Sequence, residues 1–298
     1  MKYRQLGNSS LRISEISFGC MSLGSDENAN VHLFDGALER GINFFDTADL
    51  YDKGINEERV GRMIRGKRAK VILATKVGNE WRRDGSGWDW NPHKEYILRA
   101  VEGSLRRLGT DHIDLYQLHG GTIGDPIDET IEAFEILQQQ GKIGYYGISS
   151  IRPNVIREWV RRSRMVSVMM QYSLLDRRPE ESCLDLLEKA GIGVLARGVL
   201  AKGLLAGKAS SAYLDHDTTA VEKMRLGLAS HSGNGRSPAQ TAVVSVLAQP
   251  GITSAVIGIR NAAQLEEAAG AQHVQMLAGP ALAELRGLIP VNYYSEHR

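Results

Sequence analysis

Cysteine is nearly absent from this sequence: Cys20 and Cys183 are the only two in 298 residues. They fit neither a disulfide framework nor a CxxC or Cys/His metal spacing, so both are expected to pack passively. The eight histidines are scattered, with no HExxH and no close cluster with carboxylates or cysteines, and no metal is expected. An excess of one charge is lacking too: 36 Lys plus Arg against 35 Asp plus Glu leave a formal net charge of +1. That balance excludes the electrostatic footprint of a nucleic-acid binder or a reader of acidic membranes, while leaving room for a local phosphate-sized site. No apolar run is long enough to span a bilayer, and the opening MKYRQLGNSS has no secretory apolar segment. The expectation is a cytoplasmic protein with no nucleic-acid and no membrane partner.

What the chain does have is alternation. Short apolar runs of strand character recur as ISFG (16–19), INFF (42–45), VILAT (71–75), IDLYQL (113–118), YYGIS (145–149), SVMM (167–170), IGVLA (192–196) and SAVIG (254–258). Between them lie stretches with helical spacing, among them VHLFDGALERG, EYILRAVEGSLRRLG, DETIEAFEILQQQG and ESCLDLLEKAG, each closing on glycine. Asn91-Pro92, Asp125-Pro126 and Ser237-Pro238-Ala239-Gln240 read as helix starts, the last as a capping box. Eight strands alternating with helices predict a (β/α)8 barrel, with residues 1–298 as a single domain. KYRQL, GNSS and LRIS predict an N-terminal hairpin ahead of the first barrel strand. Two connections, 78–92 and about 203–236, are too long for ordinary barrel loops. Both follow a strand on its carboxyl side, the face where barrels keep their sites, which favours active-site lids over tolerated insertions.

Strand ends of a barrel converge on one mouth. The second strand offers Asp46 and Tyr51 there, the third Lys76, and the fourth His119. A fully extended Tyr51 would lie roughly 17 Å beyond Asp46, so the chain must turn back over the mouth. A phenol is a poor acid at neutral pH, but an adjacent ammonium stabilises its phenolate. Lys76 could supply that charge, Asp46 could hold it protonated, and His119 could orient a carbonyl or relay a proton. Taken singly, Asp46 could cap a helix, Lys76 could be a surface charge, Tyr51 could pack over the barrel end, and His119 could be structural. Their coincidence at successive strand ends favours a site.

FFDTADLYDKGINEERVG, ATKVG, DLYQLHG, GISS, MMQYSLLDR and LAKGLLAGK together resemble the aldo-keto reductase superfamily, and the resemblance runs over nearly the whole chain. It implies the barrel, NADPH/NADP+ as cofactor, a small-molecule carbonyl substrate, and a catalytic tetrad of Asp46, Tyr51, Lys76 and His119 with tyrosine as general acid. It implies that Ser149 and Gln171 bond the nicotinamide carboxamide, and that Leu200, Gly203 and Lys208 pass under the pyrophosphate. VIGIRNAAQLEEAAGA resembles the segment gripping the adenosine phosphate, with Gly258 allowing close approach, Arg260 placed for the 2′-phosphate, and Gln264 and Glu267 at adenosine-contacting positions.

Three positions depart from the family pattern: Ser150 stands where many relatives have Asn, Arg197 where many stack an aromatic on the nicotinamide, and Ala268 where an Asn commonly touches adenine. A planar guanidinium can stack on a ring while carrying charge, so Arg197 is expected to disfavour the cationic oxidised cofactor. Two other readings remain: a cofactor-holding regulatory or redox-sensing subunit with slow turnover, and a barrel lyase using Lys76 as a Schiff base.

Overall fold

The computed structural model describes residues 1–233, 235–277 and 279–298. Strands β3 (Ile16–Gly19), β4 (Phe44–Asp46), β5 (Ile72–Val77), β8 (Ile113–Leu118), β9 (Ile143–Ser149), β10 (Ser167–Gln171), β11 (Gly193–Arg197) and β12 (Ile252–Gly258) form a closed parallel barrel in that order, β12 pairing back to β3. This is the (β/α)8 barrel anticipated from the alternation. Several boundaries move by one or two residues; INFF, for example, places the second strand at 42–45, whereas Ile42 precedes it and the strand runs on into Asp46.

The barrel has two apolar shells, as the two-residue period of a strand requires. Inward-facing Phe44, Ala74, Leu115, Met169, Leu195 and Val256 fill the interior. Outward-facing Phe18, Phe45, Leu73 and Tyr116 belong to the outer cluster, together with Phe34 of α1 (Glu27–Glu39), Ile97 of α3 (Lys94–Leu108), Phe134 of α4 (Ile127–Gln139) and Trp159 of α5 (Pro153–Arg162). Left-handed glycines at 41, 109, 141 and 191 follow α1, α3, α4 and α6 (Cys183–Lys189), as expected.

The predicted hairpin is present as β1 (Tyr3–Gln5) against β2 (Arg12–Ser14). It plugs the amino-terminal end of the barrel, because fully buried Leu6 and Ile13 join the interior cluster. Two helix starts differ from expectation. Helix α3 begins at Lys94, and the Asn91 side chain accepts from the His93 amide outside it. Helix α4 begins at Ile127 without a side-chain cap, since the Asp125 carboxylate is taken by Trp90 Nε1 and by Thr122. The third start is as read: Ser237 and Gln240 form a capping box on α8 (Pro238–Leu247).

Neither long connection is irregular throughout. The first folds into a hairpin of β6 (Asn79–Trp81) and β7 (Trp88–Trp90). The second contains α7 (Thr218–Ser230), whose Val221, Met224 and Leu228 pack with Leu285 of α10 (Gly279–Gly287) and with Tyr213 in a separate apolar cluster. No helix among the described residues is long and apolar enough to cross a membrane.

Gly7 has φ +53, and a Cβ there would lie 2.2 Å from the Val166 carbonyl oxygen. Gly7→Ala is therefore expected to lower unfolding free energy by about 2 kcal/mol or more, from left-handed strain plus a backbone clash. Chemical denaturation checks it, and an unchanged midpoint would show that the plug tolerates displacement.

Candidate active site

At the carboxyl-terminal mouth the interior stacks change from apolar to polar. Two residues beyond Phe44 comes Asp46, beyond Ala74 comes Lys76, and beyond Leu115 come Gln117 and then His119; beyond Met169 and Leu195 come Gln171 and Arg197. Lys76 Nζ donates to Asp46 Oδ2 at 2.6 Å, to the Thr47 carbonyl at 2.7 Å and to the Tyr51 hydroxyl at 3.4 Å. Lys76 is 1 % and Asp46 4 % exposed. Gln117 Nε2 donates to the other Asp46 oxygen at 3.3 Å. The Tyr51 and His119 rings meet edge to face with centroids 5.6 Å apart. The four residues proposed as a tetrad thus lie together.

Tyr51 returns to the mouth through a tight turn rather than an extended run. Its amide bonds to the Ala48 carbonyl, and Asp52, Lys53 and Gly54 follow with φ of 49°, 56° and 90°. Three left-handed residues in succession, two of them not glycine, are strained backbone beside a candidate site. Helix α2 (Ile55–Ile64) begins immediately after them.

The electrostatics follow from burial. Desolvation alone would pull Lys76 down, but Asp46 and Tyr51 outweigh it and hold the ammonium above its ordinary value. Burial pushes the Asp46 carboxyl up, opposed by Lys76 and by the Gln117 amide. Since both Asp46 oxygens accept from donors, the geometry is that of a carboxylate paired with an ammonium. His119 is pulled down to about 3, first by burial and then by the positive Lys76 and Arg197, so it is neutral at physiological pH. Its Nδ1 is buried without a partner among the described residues, as is Gln117 Oε1. Cys20 and Cys183 are buried free thiols, both pushed up by burial, in keeping with passive packing.

The residues expected to hold a cofactor lie at strand ends, on the loops after β11 and β12, and on the helix after β12. Ser149 ends β9, Gln171 ends β10 and Arg197 ends β11, with Gln171 and Arg197 paired in register and Arg197 Nη1 donating to Gln171 Oε1 at 3.0 Å. Leu200 immediately precedes a second left-handed stretch at Ala201, Lys202 and Gly203, and the Lys208 amide closes onto the Gly203 carbonyl. Gly258 is exposed at the end of β12. Asn261 caps α9 (Ala262–Gly270) by accepting from the Gln264 amide, while Gln264 Oε1 accepts from the Arg260 amide. Glu267 accepts from the Ser237 hydroxyl and is thereby tied to α8. Ala268 is core, packed in the outer cluster, and Ser150 turns its hydroxyl to the Arg152 amide.

Several participants are not evident from sequence. Gln117 reads as an ordinary strand residue, although a polar side chain two places before His119 shares its inward face. Asp176 and Tyr213 both accept from Gln171 Nε2, at 2.8 and 3.2 Å. Tyr213 brings the second long connection to the mouth. The first arrives through Trp90, which packs on Gly78 and Gly120, and through Lys53, whose ammonium lies 5.3 Å from the Trp81 ring centre.

The closed eight-stranded barrel is the fold of aldo-keto reductase structures, and the Aldo/keto reductase family model matches residues 15–285. The chain belongs to that family. It is 48 % identical over 307 residues to the oxidoreductase YqkF of Bacillus subtilis, covering 100 % of both chains. It is 30 % identical to an aldo-keto reductase of Schizosaccharomyces pombe, yakc [NADP(+)], covering 95 % of this chain and 90 % of that one. Among solved structures it resembles the holo form of aldo-keto reductase AKR11C1 from Bacillus halodurans with a TM-score of 0.95 and 47 % identity, over 100 % of this chain and 99 % of that one.

A depressed histidine makes stability depend on pH. Unfolded histidine titrates near about 6.5, and native His119 at about 3. Between these values the unfolded chain holds the extra proton. The contribution is intact above pH ~6.5 and is lost at about 1.4 kcal/mol per pH unit as pH falls toward ~3. Urea unfolding at about pH 7.5 and about pH 5 should show a smaller acid loss in His119→Asn than in wild type. Equal losses would mean that His119 is not held neutral.

Proposed function

We propose that the protein is an NADPH-dependent reductase of aldehydes or ketones, in which Tyr51 gives the proton and Lys76, Asp46 and His119 support it. The observation that carries this reading is the 3.4 Å contact between the Tyr51 hydroxyl and an ammonium itself locked to Asp46 at 2.6 Å. NADPH, when bound, supplies the hydride to the carbonyl carbon, leaving NADP+ and an alcohol. Tyr51 donates its hydroxyl proton to the carbonyl oxygen, and the adjacent ammonium stabilises the phenolate left behind. Neutral His119 offers a ring nitrogen for hydrogen bonding without placing a second full charge beside Lys76. The same groups run the reverse oxidation by microscopic reversibility.

The chain's own residues suit such a cofactor. Lys202, Lys208 and Arg260 are exposed cations on the loops after β11 and β12, and none has a carboxylate partner among the described residues. Phosphate oxygens are natural acceptors for them, and Arg260 near the α9 amino terminus favours a 2′-phosphate and hence NADPH over NADH. A Schiff-base role for Lys76 is disfavoured, because its ammonium is fully hydrogen-bonded and held protonated.

NADPH consumption against a carbonyl panel tests the reading. Tyr51→Phe is expected to lower kcat by about 10²- to 10⁴-fold, the usual contribution of a positioned general acid. Undiminished turnover in that variant would remove tyrosine from its role. Tight NADPH binding with no turnover of any compound by wild type would point instead to a regulatory subunit.

Arg197 extends the proposal. Its guanidinium sits at the end of β11, bonded to Gln171, where a charge opposes the cationic ring of NADP+. Arg197→Ala should raise affinity for NADP+ relative to NADPH by about fivefold or more, since unit charges ~4 Å apart repel by ~1 kcal/mol even in bulk water. An unchanged ratio of the two dissociation constants would refute this.

A further inference from the structure

Glu57 has a buried charge with no part in the chemistry described so far. It lies in the first turn of α2, three residues beyond Gly54, and is 0 % exposed. One carboxylate oxygen accepts from Thr75 Oγ1 at 2.6 Å; the other accepts from Arg107 Nε at 2.7 Å and lies 2.6 Å from its Nη2 in an ion pair. Thr75 is fully buried and immediately precedes Lys76 on β5. Arg107 reaches over from α3 beneath the Tyr51 turn, so close that a Cβ on Gly54 would lie 2.9 Å from its Cδ and Nε. The carboxylate therefore joins three elements: the strand bearing Lys76, the helix that ends the Tyr51 turn, and α3.

Its neighbour Asn56 acts in the same direction. Thr47 Oγ1 donates to Asn56 Oδ1 at 2.6 Å, and Asn56 Nδ2 donates to the Cys20 carbonyl at 2.9 Å. Asp49 shares the cluster; burial and then the charge of Glu57 push its carboxyl well up, against the pull of the nearby Arg107. The segment from Thr47 to Gly54, with its left-handed residues, is thus held at both ends by buried polar bonds. A buried ion pair is weak evidence for stability, since apolar residues of similar volume often serve as well. What apolar residues would not supply is a directional link from β5 to this turn.

We propose that Glu57 is a positioning residue: its bonds to Thr75 and Arg107 fix the turn that places the Tyr51 hydroxyl beside Lys76 Nζ. This rests on the assignment of proton donation to Tyr51. Misplacement of a reacting group by about 1 Å can cost up to about 10²-fold in rate, so loss of the link acts on turnover before cofactor binding.

The test exploits Thr75, whose hydroxyl can be removed without stranding a charge. Thr75→Val is expected to lower kcat about tenfold, while the NADPH dissociation constant, read by fluorescence titration, stays within about twofold. Thr75→Ser, which packs less well but keeps the hydroxyl, should retain near wild-type kcat; a packing role predicts the reverse order. Glu57→Asp, which keeps the charge for Arg107 but is a methylene short of Thr75, should resemble Thr75→Val. Full activity in Thr75→Val or Glu57→Asp, a serine variant as slow as the valine one, or an equal loss of NADPH affinity would each overturn the proposal. If Tyr51→Phe abolishes turnover while Thr75→Val does not, the positioning role alone fails. If wild type reduces no carbonyl despite binding NADPH, the assignment of Tyr51 fails and takes this role with it.

Discussion

The buried ion pair between Asp46 and Lys76 is the constraint around which the mouth is organised. Removing two charges from water costs several kcal/mol each, and attraction repays this only when the remaining donors and acceptors are met. They are met here: Lys76 bonds Asp46, the Thr47 carbonyl and Tyr51, and Asp46 also accepts from Gln117. The third donor of the ammonium is what brings in the phenol. Tyr51 is therefore not merely near a charge; it takes the third donor of an ammonium that Asp46 does most to keep protonated.

The barrel supplies the height at which this pair can form. Side chains two apart on a strand share a face, so each inward apolar residue fixes where the next polar one emerges. Phe44 below Asp46, Ala74 below Lys76 and Leu115 below Gln117 form an apolar floor. The register then brings Lys76 opposite Gln117 and Gln171 opposite Arg197. A polar layer over an apolar one is the continuation of a packed core to its open end.

Much of this was legible in the sequence, for reasons that differ by element. Strands buried on both faces announce themselves as apolar runs, and Asp46, Lys76 and His119 stand out as polar residues at the ends of such runs. Asp125 misled because a carboxylate before proline commonly caps a helix, and here a tryptophan from another connection claims it. The turn after Tyr51 was unreadable because Asp52 and Lys53 adopt left-handed conformations that their residue types do not signal. Glu57 was invisible for a related reason: a glutamate in a helix's first turn ordinarily faces water, and only the tertiary fold reveals Thr75 and Arg107 around it.

The distribution of charge bears on the direction of proton flow in the proposed reaction. Asp46 and Lys76 cancel at short range, His119 is neutral, and Arg197 leaves the mouth with a positive surplus. A carbonyl oxygen gains negative charge as hydride arrives, and a phenol that has lost its proton is negative as well, so a positive surplus favours both. A protonated His119 would add to that surplus but would also repel the Lys76 ammonium, and burial settles the contest in favour of the neutral ring. The mouth thus keeps one charge fixed for the phenolate and one uncharged ring beside it, which leaves Tyr51 as the group whose proton has somewhere favourable to go.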